Sequence, residues 1–299
     1  MADAASPFAF IDGALDRAEH LRNDTTRLAA LWPGACVLLL DAEGHALADA
    51  EGAPRPLAGA DIGERPPGAV LLGLDGDGRA WFALAADTVE VAASGAPTRV
   101  DLRTAAATWP LREATAFAQA RAVLHWRARH RFCGACGGAL DYERAGWLGR
   151  CMQCGLEHYP RTDPAVIVAV SDGARLLLGR QASWPARRYS TLAGFVEPGE
   201  TLEQTIVREV FEESGVRVRA CRYLASQPWP FPSSLMLGFM AEAEPDEPRP
   251  NDEELEDARW FTRDEVGAAL RGETRDAGLL LSPRLSISRW LVECWYREP

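Results

Sequence analysis

Short apolar runs bounded by Gly, Pro and Asp punctuate the first third of the chain: ACVLLL at 35–40, AVLLGL at 69–74 and AWFALA at 80–85. Runs of this length between turn residues predict strands. Between the last two, LDGDGR has a faint likeness to a calcium loop, but the later ligand positions are missing and a hairpin turn is expected. From Pro110 the period changes. Ala114, Phe117, Ala120, Leu124 and Ala128 fall at helical spacing, with Arg127, Arg129, His130 and Arg131 at the end where cations suit the helix dipole. His125 and His130 are expected on the surface of this helix.

Further on, PAVIVAVSDGARLLLGRQ (164–181) predicts two strands around a Ser-Asp-Gly turn. Thr201 with Gln204 has the form of a capping box, and Gly215 is a natural helix stop. They frame a helix whose Leu202, Ile206, Val210 and Phe211 are expected to face a core. The three prolines of SQPWPFPSS (226–234) exclude it from a regular helix or a central strand, so a stiff loop is predicted.

A chain of 299 residues is long enough for two domains and a sizeable core. No uninterrupted apolar run approaches the twenty or so residues a bilayer requires, and the N-terminal stretch lacks the pattern of a secretory signal. A cytoplasmic protein with no membrane partner is expected. The net charge is −11 and lysine is absent, so every side-chain cation is Arg or protonated His. That balance disfavours a broadly basic nucleic-acid binder. An acidic chain can still take a phosphate substrate where metal ions bridge the two negative parties.

Cys133, Cys136, Cys151 and Cys154 form two C-x-x-C pairs separated by fourteen residues, each followed by glycine. Two such turns complete a tetrahedral thiolate site for one zinc ion, and four protein ligands leave no open position, so the zinc is expected to be structural. A reducing compartment argues against disulfides. Cys36, Cys221 and Cys294 are isolated and are expected as buried small hydrophobes.

Residues 194–216, GFVEPGETLEQTIVREVFEESGV, crowd carboxylates around a single arginine. Glu209 stands i,i+3 from Glu212 and i,i+4 from Glu213, so their like charges repel on one helix. Bound divalent cations would reverse the sign of that interaction, and magnesium prefers oxygen ligands that bridge to substrate phosphates. The flanking order sharpens this reading: Gly194, Glu200, Arg208, Glu209, Val210, Glu212, Glu213, Gly215 and Val216 follow G-x5-E-x7-R-E-U-x-E-E-x-G-U in full, U being a bulky apolar residue. This stretch resembles the Nudix box, the signature of a superfamily that hydrolyses nucleoside diphosphates linked to another moiety. SQPWPFPSS after the box, and the four-cysteine ribbon before it, resemble the NADH pyrophosphatase branch. The likeness covers 131–299 well and the first domain loosely.

The resemblance implies a loop–helix–loop on a mixed sheet, in which Glu209, Glu213 and Glu254 hold magnesium or manganese. Glu212 serves as a further ligand or a base, and Arg208 orients the carboxylates. It also implies that Gln227, Pro228, Trp229, Pro230, Phe231, Pro232, Ser233 and Ser234 line a dinucleotide site with Tyr159, Ala193 and Phe195. Ser288 would contribute a backbone contact, and Arg103 would meet substrate phosphate. Overall, an α+β fold is expected: an N-terminal α+β domain with its linker helix (1–130), a zinc ribbon (131–159) and a C-terminal Nudix α/β/α sandwich with a mixed sheet (160–299). The implied activity is metal-dependent hydrolysis of NADH or NAD⁺ to nicotinamide mononucleotide and AMP, in a homodimer. Removal of the NAD cap from RNA uses the same bond. A reading from another class is a silent Nudix sensor whose ribbon binds nucleic acid.

Overall fold

The computed structural model describes residues 8–88, 98–250, 254–273 and 278–298. Acidic residues 252 and 253, beside the expected metal ligand Glu254, lie outside them. The chain forms two compact units: 1–9 with 163–228 and 234–299, and 10–162 with 229–233.

In the second of these units, α1 (Thr25–Leu31) precedes β1 (Cys36–Leu40), β2 (Ala46–Ala48) and β3 (Leu57–Ala58). Then come α2 (Gly59–Ile62), β4 (Val70–Leu74), β5 (Ala80–Ala85), β6 (Thr98–Val100), α3 (Leu102–Thr108) and α4 (Leu111–Arg129). The sheet order is β4-β5-β1-β2-β6, with β3 also paired to β1. The three apolar runs are strands, as their length and borders predict. β4 and β5 pair antiparallel, and Asp75 closes their turn. Its carboxylate accepts the Asp77 and Arg79 N–H groups and the Trp81 Nε1–H, so a hairpin replaces any calcium loop. Phe117 and Ala120 of α4 are buried, as their spacing requires.

The ribbon belongs to the same unit. β7 (Leu140–Glu143), β8 (Leu148–Cys151) and β9 (Glu157–His158) form an antiparallel sheet. Trp147 Nε1 donates to the Leu71 carbonyl at 2.7 Å, and the Tyr142 hydroxyl donates to the His130 carbonyl at 2.6 Å. These bonds fasten the ribbon to β4 and to the end of α4.

The other unit contains β10 (Asp163–Ser171), β11 (Arg175–Arg180), β12 (Arg188–Tyr189), β13 (Leu192–Phe195) and α5 (Leu202–Ser214). β14 (Val218–Trp229), β15 (Ser234–Ala243), β16 (Asp257–Thr262), α6 (Arg263–Arg271), β17 (Leu280–Leu281) and α7 (Ile287–Arg297) follow. The main sheet runs β14-β15-β10-β11-β16, with β13 also on β10. β10 and β15 are parallel while β11 and β13 run antiparallel to β10, so the sheet is mixed. Alternation along β10 explains the layers. Val166, Val168 and Val170 pack in one cluster with Ile206 and Val210 of α5. Ser171, of opposite parity, accepts a hydrogen bond from Trp295 Nε1 of α7 at 2.9 Å. Helices therefore cover both faces.

Three local expectations are corrected. Phe211 is 49% exposed, because the buried face of α5 runs Ile206, Val210, Glu213, at i, i+4 and i+7, and Phe211 falls beside it. Ser226 to Trp229 are not loop but the end of β14. β14 is the edge strand, where a proline lacking its N–H interrupts no inner ladder. Cys36, Cys221 and Cys294 are half-buried rather than buried.

Candidate active site

α5 presents the carboxylate cluster, and its ends are firmly set. Thr201 Oγ1 accepts the Gln204 N–H while the Gln204 side chain accepts the Thr201 N–H. At the other end Gly215 takes φ 70°, a left-handed cap open to glycine at little cost.

Within this frame Arg208 is the hub. Its Nε and Nη2 fork onto the two Glu200 oxygens at 2.6 and 2.8 Å. Its Nη1 lies 2.9 Å from Glu209 Oε1 and 3.0 Å from Glu212 Oε2, and Nη2 donates to the Phe195 carbonyl at 3.0 Å. Glu200 also accepts from the Thr205 hydroxyl and the Glu197 N–H. The Arg208 fork, then the Glu197 N–H, pull the Glu200 carboxyl down to about 2. One guanidinium thus fixes the box loop to the helix and aligns two of its carboxylates.

Glu209 is pressed against β13: a Cβ at Gly194 would overlap its carboxylate. Burial pushes the Glu209 pKa up, Arg208 opposes this, and the charges of Glu212 and Glu254 push it up further. Glu254 therefore lies within electrostatic reach of Glu209, though distant in sequence. Glu213 is 5% exposed and sits on the apolar side of the helix, where a charge is costly unless compensated. Glu212 is half exposed. Oxygen donors of graded burial, clustered at one helix face, fit a hard divalent cation that keeps part of its water. The four cysteines are, among the described residues, the group of three or more potential ligands whose atoms all lie within 4.8 Å of one another. Glu209, Glu212, Glu213 and Glu254 do not form such a group; oxygens on one octahedral cation lie at most about 4.2 Å apart, so a cation would have to draw these side chains together.

In the ribbon, Sγ atoms of Cys133 and Cys154 are 3.8 Å apart and those of Cys136 and Cys151 3.4 Å. A tetrahedron with zinc–sulfur bonds of about 2.3 Å has edges of about 3.8 Å, so the thiols fit one zinc. The two turns repeat one design. Gly137 N–H donates to the Cys133 carbonyl and Gly155 N–H to the Cys151 carbonyl, with φ of 75° and 74°. Ala135 N–H points at Cys133 Sγ and Cys154 N–H at Cys151 Sγ, each at 3.4 Å. The N–H of Cys154 is the leading cause that lowers the Cys151 thiol to about 6, while the Cys136 thiol, against the lowering effect of the Gly138 N–H, is pushed up to about 12 by its bonds to Cys151 and Cys154.

The other expected site residues are divided between the two units. Ala193 pairs with Ile167 in the sheet, and Phe195 at the end of β13 is 59% exposed. Gln227 is fully buried: Nε2 donates to the Ala9 and Leu285 carbonyls at 3.0 and 2.8 Å, and Oε1 accepts the Ile287 N–H at 2.8 Å. Its amide fastens chain segments and leaves no surface for a ligand. Pro228 is exposed on β14, and Ser234 opens β15 opposite Asp163. Ser288 is also buried; its hydroxyl accepts from Thr191 Oγ1 at 2.9 Å and its N–H donates to Ser286 Oγ.

Residues 229–233 pack in the N-terminal unit. Trp229 and Phe231 lie 4.9 Å apart, with the Arg103 guanidinium 4.0 Å from the Phe231 centroid and 5.6 Å from that of Trp229. Arg103 thus stacks on aromatic rings. Arg121 of α4, which no local motif marks, donates to the Pro230 carbonyl and lies 5.2 Å from the Phe231 ring. Phe231–Pro232 is cis, and Ser233 ends this segment. In the ribbon Tyr159 is exposed, and its hydroxyl donates to Glu157.

A mixed sheet carrying a capped helix with this Arg–Glu hub defines a hydrolase of the phosphoanhydride class. The chain matches the NUDIX domain over 161–281, the NADH pyrophosphatase zinc ribbon domain over 128–159 and the NADH pyrophosphatase-like rudimentary NUDIX domain over 25–126. A protein named NAD-capped RNA hydrolase NudC from Mycobacterium bovis is 44% identical over 94% of this chain and 92% of its own length. The protein of that name from Mycobacterium tuberculosis is 43% identical over the same shares. Human NAD-capped RNA hydrolase NUDT12 is 44% identical over 62% of this chain and 42% of its own length. The chain belongs to the Nudix hydrolase family, in the NADH pyrophosphatase branch. No described helix is long and apolar enough to cross a membrane.

Proposed function

We propose that this chain hydrolyses the pyrophosphate bond of NADH or NAD⁺, releasing nicotinamide mononucleotide and AMP. The observation that carries the reading is the complete carboxylate set of α5 held by Arg208, in a chain similar along 94% of its length to a protein named for NAD-cap hydrolysis. Glu209, Glu213 and Glu254 would hold the divalent cation, magnesium or manganese, with Glu212 as a further ligand or base. When bound, such a cation polarises phosphoryl oxygens and lowers the pKa of a bound water. The chain's own part is to keep the carboxylates fixed before substrate arrives. Arg208 does this by its bonds to Glu200, Glu209 and Glu212, and Gly194 leaves room for Glu209. The water gives a proton to a base, for which Glu212 is a candidate, as its oxygen joins one phosphorus; the bridging P–O bond breaks and the departing phosphate takes the bonding electrons.

The names of the relatives favour a second substrate for the same bond, the NAD cap at an RNA 5′ end. The silent-sensor reading loses its support, because no box carboxylate is missing. Ala193, Phe195, Pro228 and Ser234 of one unit, and Tyr159 and residues 229–233 of the other, are each proposed to contribute to dinucleotide binding, with Gln227 and Ser288 acting by fastening backbone. Arg103 is proposed to act on the aromatic segment rather than on phosphate alone. The division into 1–130, 131–159 and 160–299, a homodimeric assembly and a cytoplasmic location belong to the same proposal.

Chromatography of products after incubation with NADH and Mg²⁺ tests it. Reduced nicotinamide mononucleotide and AMP in equal amounts are expected. Intact NADH, with either metal, contradicts it.

A further inference from the structure

In the unit that carries the ribbon, two arginines lie over one tryptophan and the charge of a third, Arg144, acts on one of them. The Arg22 guanidinium lies 4.3 Å from the Trp147 ring centroid and that of Arg17 6.0 Å. Arg144 stands in the turn between β7 and β8, just before Trp147. Burial lowers the Arg22 pKa, the charges of Arg144 and Arg17 add to this, and Glu19 opposes. Glu19 pairs with Arg144. Among the described residues, no ion pair is made by Arg17 or Arg22, and the buried Nε atoms of Arg22 and Arg144 have no hydrogen-bond partner.

Two features show that this is not ordinary charged surface. Like charges and orphaned donors cost free energy wherever water is partly excluded. The neighbouring Arg150, in contrast, is neutralised by Glu143 and Glu157 at 2.9 and 2.8 Å. The turn that supplies Arg144 is also strained. Arg144 and Ala145 both take φ 50°, followed by Gly146 at 93°. Non-glycine residues in that region are strained. The turn is fixed against β4: a Cβ at Gly146 would come 2.7 Å from Val70 Cγ2, and Trp147 Nε1 is bonded to Leu71.

We propose that Arg17, Arg22, Arg144 and Trp147 form a binding site for the phosphodiester chain of single-stranded RNA. Guanidinium forks match phosphate oxygens, and a guanidinium plane stacked on an indole offers a platform for an unpaired base. A nucleotide within a chain satisfies both features, whereas a free anion satisfies one. On a chain of net charge −11, such a local patch gives RNA affinity without general basicity. The choice of RNA as ligand rests on the capped-RNA reading above. Because binding is read with uncapped RNA, failure here and failure of NADH hydrolysis are separate results.

The test is fluorescence anisotropy of a labelled, uncapped, unstructured 12-nucleotide RNA with the full chain at 50 and 200 mM KCl. Relative to wild type, R17Q/R22Q/R144Q is expected to bind at least about tenfold more weakly. Its slope of log affinity against log salt is expected to fall by about 2, at about 0.7 per lost phosphate contact. If circular dichroism shows the triple variant unfolded, R22Q alone is read, with about threefold weaker binding expected from one lost contact. Binding by the folded variant within twofold of wild type overturns the proposal. So does absence of saturable RNA binding by wild type, or saturable binding of sodium tripolyphosphate where RNA does not bind.

Discussion

Gly194 and Glu209 occupy adjoining space: the α-carbon of Gly194, paired with Val166 in the sheet, leaves the volume that the Glu209 carboxylate fills. The first glycine of the box is therefore a steric requirement of its glutamate. G194A is expected to push Glu209 aside, since its side chain is the part able to move. A misplacement of about 1 Å at a reacting centre costs on the order of 10²-fold. Steady-state kinetics should show kcat for NADH falling by about that factor with the thermal midpoint little changed. Activity within twofold of wild type would mean that Glu209 needs no fixed position.

The Glu200–Arg208 fork yields a pH prediction. The Glu200 pKa is depressed from 4.5 to about 2 by Arg208 first. A depressed carboxyl stabilises the fold above its unfolded value, and that contribution is lost as pH falls through the folded value. The stability difference between wild type and E200Q should thus be full at pH 7 and shrink between about pH 4.5 and 2. Urea denaturation at pH 7, 4 and 3 measures it. A difference that grows on acidification would contradict the assignment.

Gln227 is predicted to act through stability. Q227A leaves the Ile287 N–H and two carbonyls without their partner in a buried setting. Each orphaned group costs about 1–3 kcal/mol, so a loss of about 3 kcal/mol or more in unfolding free energy is expected. If Q227A instead raised KM with stability unchanged, the residue would be a substrate contact.

Much of this site was legible in the sequence, for reasons that can be named. Repelling carboxylates at i, i+3 and i+4 mark a candidate cation site when caps and glycines stand at fixed distances around them. The burial of Glu213 was also available, since it continues the Ile206–Val210 stripe by one more turn, where an acid is out of place. Gln227 shows the limit. Sequence placed it in the segment after the box, but nothing local tells whether an amide points to a ligand or to backbone brought together by the fold. Arg121 and Pro230 are far apart in the chain, and their contact leaves no trace in spacing. Pro228 suggested loop because proline is excluded from inner strands; an edge strand admits it.

The ribbon should contain one zinc per chain. Elemental analysis of purified protein is expected to give a ratio near one, and C151S a ratio near zero with a lower thermal midpoint. Wild type purified without zinc, folded and with all four ribbon thiols titratable beside Cys36, Cys221 and Cys294, would contradict the thiol geometry as a metal site.

The α5 carboxylates are proposed to hold a divalent cation. Titration of Mn²⁺ followed by electron paramagnetic resonance tests this directly on wild type and E213Q. Saturable loss of the free-ion signal with wild type, and binding weakened by about tenfold or more in a folded E213Q, is the predicted result. Equal binding by the two proteins, or none by wild type in the presence of AMP, would contradict it.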